Sequence, residues 1–198
     1  MTARPSHIAL TLTAFVAGIA LFVAVFLYAT GQFGPGDVRP SAIGGPFALT
    51  DQDGKPITDQ DFRGKPLLVF FGYTHCPDIC PTTLFELSQV MHVLGKDDNR
   101  INVLFITVDP ERDTAPVMKE YLANFDPRFY GATGTQQQID AAEREYHVYA
   151  KKVPEKNGDY SMDHSAVVYL MNKQGRFVEP FNLKRKPAAA AAELRKYL

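Results

Sequence analysis

Residues 67–81 read Leu-Leu-Val-Phe-Phe-Gly-Tyr-Thr-His-Cys-Pro-Asp-Ile-Cys-Pro, and the fold turns on how this stretch divides. Its first five residues form an unbroken apolar run, the pattern of a central strand buried on both faces. Beyond the cysteines, Leu84, Leu87, Val90, Met91 and Leu94 recur at helical spacing, and Gly95 is a stop signal. Proline is tolerated at a first helical position, where no amide hydrogen bond is lost, so the regular helix is expected from about Pro81. Cys76 and Cys80 then lie in an irregular leading loop close to a helix N-terminus, an environment that favours thiolate over thiol. They are the only two cysteines of the chain, separated by Pro77, Asp78 and Ile79. Two thiols at such a corner can carry redox chemistry or hold a soft metal.

Working outward, residues 47–58 read as a β-hairpin turning at Asp53-Gly54. Residues 101–108 form a second buried strand. Helices are expected over 115–125 and 136–152. Strands are expected over 165–171 and 176–180, joined through Asn172 to Gly175. An Ala-rich helix over 187–198 closes the chain, with Pro187 in its first turn. Strands alternating with helices, then a terminal hairpin and helix, predict an α/β sandwich with a mixed central sheet flanked by helices. A dithiol after the first central strand is the arrangement of thioredoxin-like folds, an analogy of topology that leaves function open.

The chain has 198 residues and a formal net charge of −1, enough for one domain of ordinary size and too little basic charge for a nucleic-acid partner. Its only basic run, Lys184-Arg185-Lys186, reads as a solvated helix start. Two cysteines are too few for a disulfide framework. Residues 8–28 carry no charge, and a bilayer core needs about 20 helical residues, more than the roughly 7–15 of a signal-peptide core. Ala29-Thr30-Gly31 matches a cleavage site poorly, so a retained anchor is expected. Arg4 precedes the span and no positive charge follows before Arg39, which places the N-terminus in the cytoplasm. The expected organisation is a cytoplasmic tail over 1–7, a transmembrane anchor over 8–29, a Gly- and Pro-rich flexible linker over 30–46, and a domain over 47–198 outside the cytoplasm.

Three residues between the cysteines, where the usual redox motif of this fold has two, can spread the sulfurs enough to chelate one ion and still permit a disulfide. Thiolates select Cu(I), Zn(II) or iron–sulfur clusters, and two ligands rarely suffice. Of the five histidines, His7 lies at the membrane edge on the wrong side, and His92 and His147 fall within expected helices. His75 adjoins Cys76, but neighbours on a strand end point to opposite faces. His164, in an expected loop over 160–164 ahead of an apolar strand, is the best candidate, because in thioredoxin-like topology the loop leading into that strand faces the dithiol. Asp78 and Asp163 are the nearest carboxylates in sequence. Asp109 and Asp113 follow the second buried strand and share its face with the dithiol, or form a turn in which Asp113 caps the next helix.

The stretches Phe71-Gly-Tyr-Thr-His-Cys-Pro-Asp-Ile-Cys-Pro81, Thr107-Val-Asp-Pro-Glu-Arg-Asp-Thr114 and Asp163-His-Ser165 together resemble the Sco/SenC family of copper-binding assembly proteins for cytochrome c oxidase. Gly44-Gly45-Pro46-Phe47 and the N-terminal anchor fit the same pattern, and the resemblance covers residues 47–198. It implies a copper site of Cys76, Cys80 and His164; by their places in the sequence, Asp78, Asp163, Asp109 and Asp113 are candidates for the surrounding shell. It implies delivery of copper to the Cu-A centre of oxidase subunit II, from a donor the sequence does not identify. A bacterial inner membrane facing the periplasm is the implied setting. Two thiolates and one imidazole suit trigonal Cu(I), and Cu(II) would want a further, harder ligand. Two other readings use the same cysteines. One is a thiol–disulfide oxidoreductase that keeps the oxidase copper-site cysteines reduced. The other is a peroxidase of the peroxiredoxin type, for which Arg63 and Arg112 leave the option open.

Overall fold

The computed structural model describes residues 15–23, 25–26, 43–156 and 158–198. Residues 15–23 and 25–26 are helical, with their apolar side chains exposed. The rest of the expected membrane span, the tail and residues 30–42 of the linker lie outside the described residues. Among the described residues no helix is long and apolar enough to cross a membrane.

From Ile43 onward the elements are β1 (Ala48–Asp51), β2 (Pro56–Thr58), β3 (Leu67–Gly72), α1 (Ile79–Leu94), β4 (Asn102–Thr107), α2 (Ala115–Leu122), β5 (Phe129–Thr133), α3 (Gln136–Tyr146), β6 (Ala150–Pro154), β7 (Tyr160–His164), β8 (Val168–Met171), β9 (Phe177–Pro180) and α4 (Pro187–Leu194). Seven strands form one sheet in the order β2-β1-β5-β4-β3-β8-β9. Its centre is parallel, with Leu67 to Gly72 of β3 opposite Asn102 to Thr107 of β4. β8 runs antiparallel to β3, Phe70 facing Val168. The mixed sheet expected from the alternation of elements is the one observed.

Every residue of β3 is buried, as its continuous apolar run requires. Alternate side chains serve the two layers. Phe70 stacks on Phe105 with ring centroids 5.8 Å apart, and Phe105 packs on Tyr121 of α2. On the other face Phe71 meets Tyr146 of α3 and Tyr169 of β8. Gly131 in β5 lets α2 approach closely, since a Cβ there would sit 2.6 Å from Leu122 Cδ1.

Three expectations need correction. The helix predicted over 136–152 ends at Tyr146, because His147 takes the left-handed conformation (φ 52°) and the Val148 amide turns back to the Glu143 carbonyl at 2.8 Å. The chain then enters β6, which pairs antiparallel with β7 in a sheet of its own, Ala150 opposite His164 and Pro154 opposite Tyr160. Residues 160–164 are therefore a strand and not a loop. The strand predicted from Ser165 begins only at Val168. β5 was not foreseen at all.

Candidate metal centre

The dithiol spans the entry into α1 and its first turn. The helix starts at Ile79, two residues earlier than expected, and Pro81 is its third residue. That position is still free of penalty, since the first four amides of a helix have no intrahelical partner. Cys80 consequently belongs to the helix, while Cys76 precedes it in a turn closed by its own amide on the Tyr73 carbonyl at 3.3 Å. The Cys80 amide points back at Cys76 Sγ, 3.4 Å away. Both cysteines are free and buried.

The third donor arrives from the end of β7. His164 Nε2 lies 3.5 Å from Cys80 Sγ. The ligand atoms of Cys76, Cys80 and His164 all fall within 4.8 Å of one another, and among the described residues they form the only such cluster of metal-ligating side chains. His164 Nδ1 is 3.2 Å from the Ser165 carbonyl. A proton on Nδ1 donates to that oxygen and leaves the Nε2 lone pair aimed at the sulfurs, the tautomer a metal ligand needs. Tyr73 meets the imidazole edge-on, ring centroids 5.7 Å apart, and Phe70 lies behind it. Burial among these rings holds His164 below the usual imidazole range, although the Ser165 carbonyl and Asp163 oppose the shift, so the ring is neutral and ready to ligate.

The thiol chemistry differs from the expectation of a helix-stabilised thiolate. Burial pushes the Cys80 thiol well above its ordinary range, and the nearby Cys76 and Asp113 add to the effect. Desolvation outweighs the helix N-terminus here because Cys80 is fully enclosed. A cation binding this sulfur must displace its proton, which couples metal binding to proton release.

The four carboxylates are placed as follows. Asp78 occupies the N-cap position of α1, exposed, with the Thr82 hydroxyl 3.5 Å away. Asp163 is exposed on the opposite side of β7 from His164, as strand alternation dictates, so the imidazole is oriented by a backbone carbonyl and not by this carboxylate. Asp113 is fully buried and does not cap α2, whose N-cap is Thr114. It accepts from the Thr74 amide (3.0 Å), the Thr74 hydroxyl (2.6 Å) and the Thr107 hydroxyl (2.6 Å), tying the turn before Cys76 to the end of β4. Asp109, also buried, binds Arg112 Nε and accepts the Tyr160 hydroxyl at 2.8 Å. Of the other histidines, His75 is half exposed, 4.0 Å from Asp113, and stays outside the cluster.

Sequence reasoning missed the supporting roles of Thr74, Thr107, Tyr73 and Tyr160, and considered Arg112 only for peroxidase chemistry. The signal was present. The run from Thr107 to Thr114 puts three carboxylates, a guanidinium and two hydroxyls at the end of a buried strand, a density of polar groups that suggests a shared network.

Fold and cluster together define a thioredoxin-like domain whose dithiol is joined by an imidazole into a three-donor site. Comparison with known proteins is consistent with this. The family model for SCO1/SenC matches residues 36–198, and the chain belongs to that family. Among similar solved structures is Bradyrhizobium japonicum ScoI with copper bound, 60% identical, with a TM-score of 0.77, covering 79% of this chain and 99% of that one. Yeast Sco1 with copper bound is 35% identical, with a TM-score of 0.73, covering 79% and 88% of the two chains. The SCO2 homolog of Danio rerio mitochondria is 42% identical over 165 residues, 81% of this chain. The match spans 59% of that relative's own length.

Proposed function

We propose that this protein is a membrane-tethered copper metallochaperone that holds copper on Cys76 Sγ, Cys80 Sγ and His164 Nε2 and delivers it to the Cu-A centre of cytochrome c oxidase subunit II. The observation that carries the reading is the convergence of two sulfurs and one imidazole nitrogen within 4.8 Å, with Nε2 free to ligate. Soft sulfur with a borderline nitrogen favours Cu(I) over harder ions. The copper-bound relatives, at 60% and 35% identity, support copper as the cargo. The uncharged run over residues 8–28 supports an anchor that keeps the domain beside an oxidase in the same membrane. With the N-terminus in the cytoplasm, the domain faces the periplasmic side of a bacterial inner membrane. The test is transfer: Cu(I)-loaded protein mixed with reduced, copper-free subunit II should lose its metal to it, and Cu-A absorption should appear once the repurified subunit II is oxidised by one electron with added ferricyanide. Retention of copper by this protein, or equal transfer to any free thiol, would count against the reading.

A second reading rests on the same sulfurs. Cys76 and Cys80 are close enough for the Cys80 amide to touch Cys76 Sγ, so a short movement pairs them. As a thiol–disulfide oxidoreductase the protein would reduce the oxidase copper-site cysteines, its own thiols becoming a disulfide. Oxidation removes both thiolate ligands at once, so the disulfide form should not bind Cu(I). Equal Cu(I) binding by oxidised and reduced protein would locate the metal elsewhere. The peroxidase reading gains nothing: Arg112 is engaged by Asp109, and Arg63 pairs with Asp59 at the Leu67 end of β3.

A further inference from the structure

His164 is not delivered by the central sheet. It sits on the β6–β7 hairpin, a two-stranded sheet of its own in which no residue is fully buried. That hairpin is tied to the loop after β4 by a closed ring of contacts, beside which Lys152 Nζ reaches Glu111 at 2.5 Å and Ala150 and Met162 pack on the core. Arg112 Nε donates to the buried Asp109 carboxylate. Arg112 Nη1 donates to the Tyr160 carbonyl at 3.0 Å and to Asp159 at 3.2 Å. The guanidinium lies over the Tyr160 ring, 3.8 Å from its centroid, and the Tyr160 hydroxyl returns to Asp109 at 2.8 Å. Tyr160 is the first residue of β7 and His164 the last, about 13 Å apart along a strand. At the His164 end, the Ser165 amide is held by the Tyr149 carbonyl at 2.9 Å.

We propose that Asp109, Arg112 and Tyr160 form a clasp that fixes the tilt of β7 and so holds His164 over the dithiol, and that release of the clasp lets His164 leave the metal and controls how fast copper departs. This rests on the copper reading of the site. With both ends of β7 held, the imidazole has one position relative to Cys80. With the Tyr160 end free, the strand can tilt about its Ser165 end and take Nε2 out of reach. Cys80 sits in the first turn of α1 and Cys76 in the turn just before it, and neither moves with β7, so copper would pass through a two-sulfur state open to an acceptor ligand. The clasp is itself incompletely satisfied: Arg112 Nη2 is buried and, among the described residues, has no hydrogen-bond partner. Arg112 and Tyr160 are thus positioning residues that touch no ligand atom.

The experiment uses the full chain in detergent, comparing wild type with Arg112→Met, Arg112→Lys and Tyr160→Phe. Copper affinity and the rate of copper loss to a chelator are read beside the Cys76–Cys80 midpoint potential and amide exchange over residues 149–164. Loss of an outer support of a metal ligand typically weakens binding about 10–100-fold, which is the change expected for Arg112→Met, with faster copper loss and faster exchange in the hairpin. Tyr160→Phe should move the same way by less, Arg112→Lys should restore part of the loss, and the midpoint potential should stay put. A generally loosened fold would shift that potential as well, and such a result would overturn the clasp. Unchanged affinity and release in Tyr160→Phe, where only a hydroxyl is removed, would overturn it even if Arg112→Met failed to fold. Copper binding by wild type that ignores His164→Ala would instead defeat the copper reading itself.

Discussion

Gly72 ends β3 directly beneath the dithiol, and replacing it with alanine is a severe test of the packing. A Cβ at this position would lie 2.7 Å from Cys80 Sγ and 2.8 Å from Phe105 Cε2, where ordinary contact begins at 3.4 Å. Its φ is not in the left-handed region, so the penalty is steric alone. Phe105 cannot yield, being fully buried between Phe70 and Tyr121. The sulfur or the first turn of α1 must therefore shift, by roughly 0.7 Å to regain contact distance, since overpacked cores relieve themselves at the softest neighbour. Overpacking of this kind costs about 1–3 kcal/mol. At roughly 2–4 °C per kcal/mol for a domain of this size, the copper-free Gly72→Ala protein should melt several degrees below wild type. Because Cys80 Sγ also sets the 3.5 Å approach to His164 Nε2, copper affinity should fall in parallel. Thermal melting and a Cu(I) competition assay on the same preparations read both effects. A variant that melts within about a degree of wild type and binds copper equally would refute the proposed tight contact between strand and sulfur.

Asp113→Ala removes the acceptor of the buried Thr107 hydroxyl and of the partly buried Thr74 amide and hydroxyl, and leaving a buried donor unpaired costs about 1–3 kcal/mol; a denaturant midpoint equal to wild type would contradict the role assigned to that carboxylate. Glu143 on α3 is pushed up to about 7, mainly by burial, with Asp140 adding and Arg144 opposing, and its Oε1 has no partner among the described residues. Its folded value lies above the unfolded one, so the stability it contributes is fully present below about pH 4.5 and is lost as pH rises through about 7. Glu143→Gln should flatten that decline when denaturant midpoints at about pH 5 and about pH 8 are compared, and an unchanged slope would assign the effect to another group.

The core strands and the dithiol corner were legible because their signals are local: an unbroken apolar run, helical spacing from Leu84 to Leu94, and a proline that bounds the helix start. β5 was not, because Phe129–Thr133 is short and contains Gly131, whose value lies in letting α2 approach and has no signature in its own neighbourhood. The start of β6 falls within the expected helix and β7 within an expected loop, because the Gln136–Tyr146 pattern runs without a proline or glycine into His-Val-Tyr, and only a left-handed residue at His147 ends the helix. Asn157-Gly158, a strong hairpin dipeptide, was the available sign. His164 was placed in a loop and found on a strand, yet near the dithiol in both cases, since the order of elements and not its local conformation brings it there. The buried carboxylates were the least legible. Asp109 and Asp113 look like turn and cap residues in sequence, and only the tertiary fold turns them inward to hold the two segments that carry the donors.

The central claim is that one nitrogen and two sulfurs hold copper together. Anaerobic titration of the full chain with Cu(I), in wild type and His164→Ala, tests it directly. The account predicts one copper per wild-type chain, and for His164→Ala a loss of affinity well beyond the roughly 10–100-fold of an outer-support loss, with the fold and the Cys76–Cys80 disulfide chemistry retained. Equal affinity in the two proteins would remove His164 from the site and leave the dithiol as a redox pair.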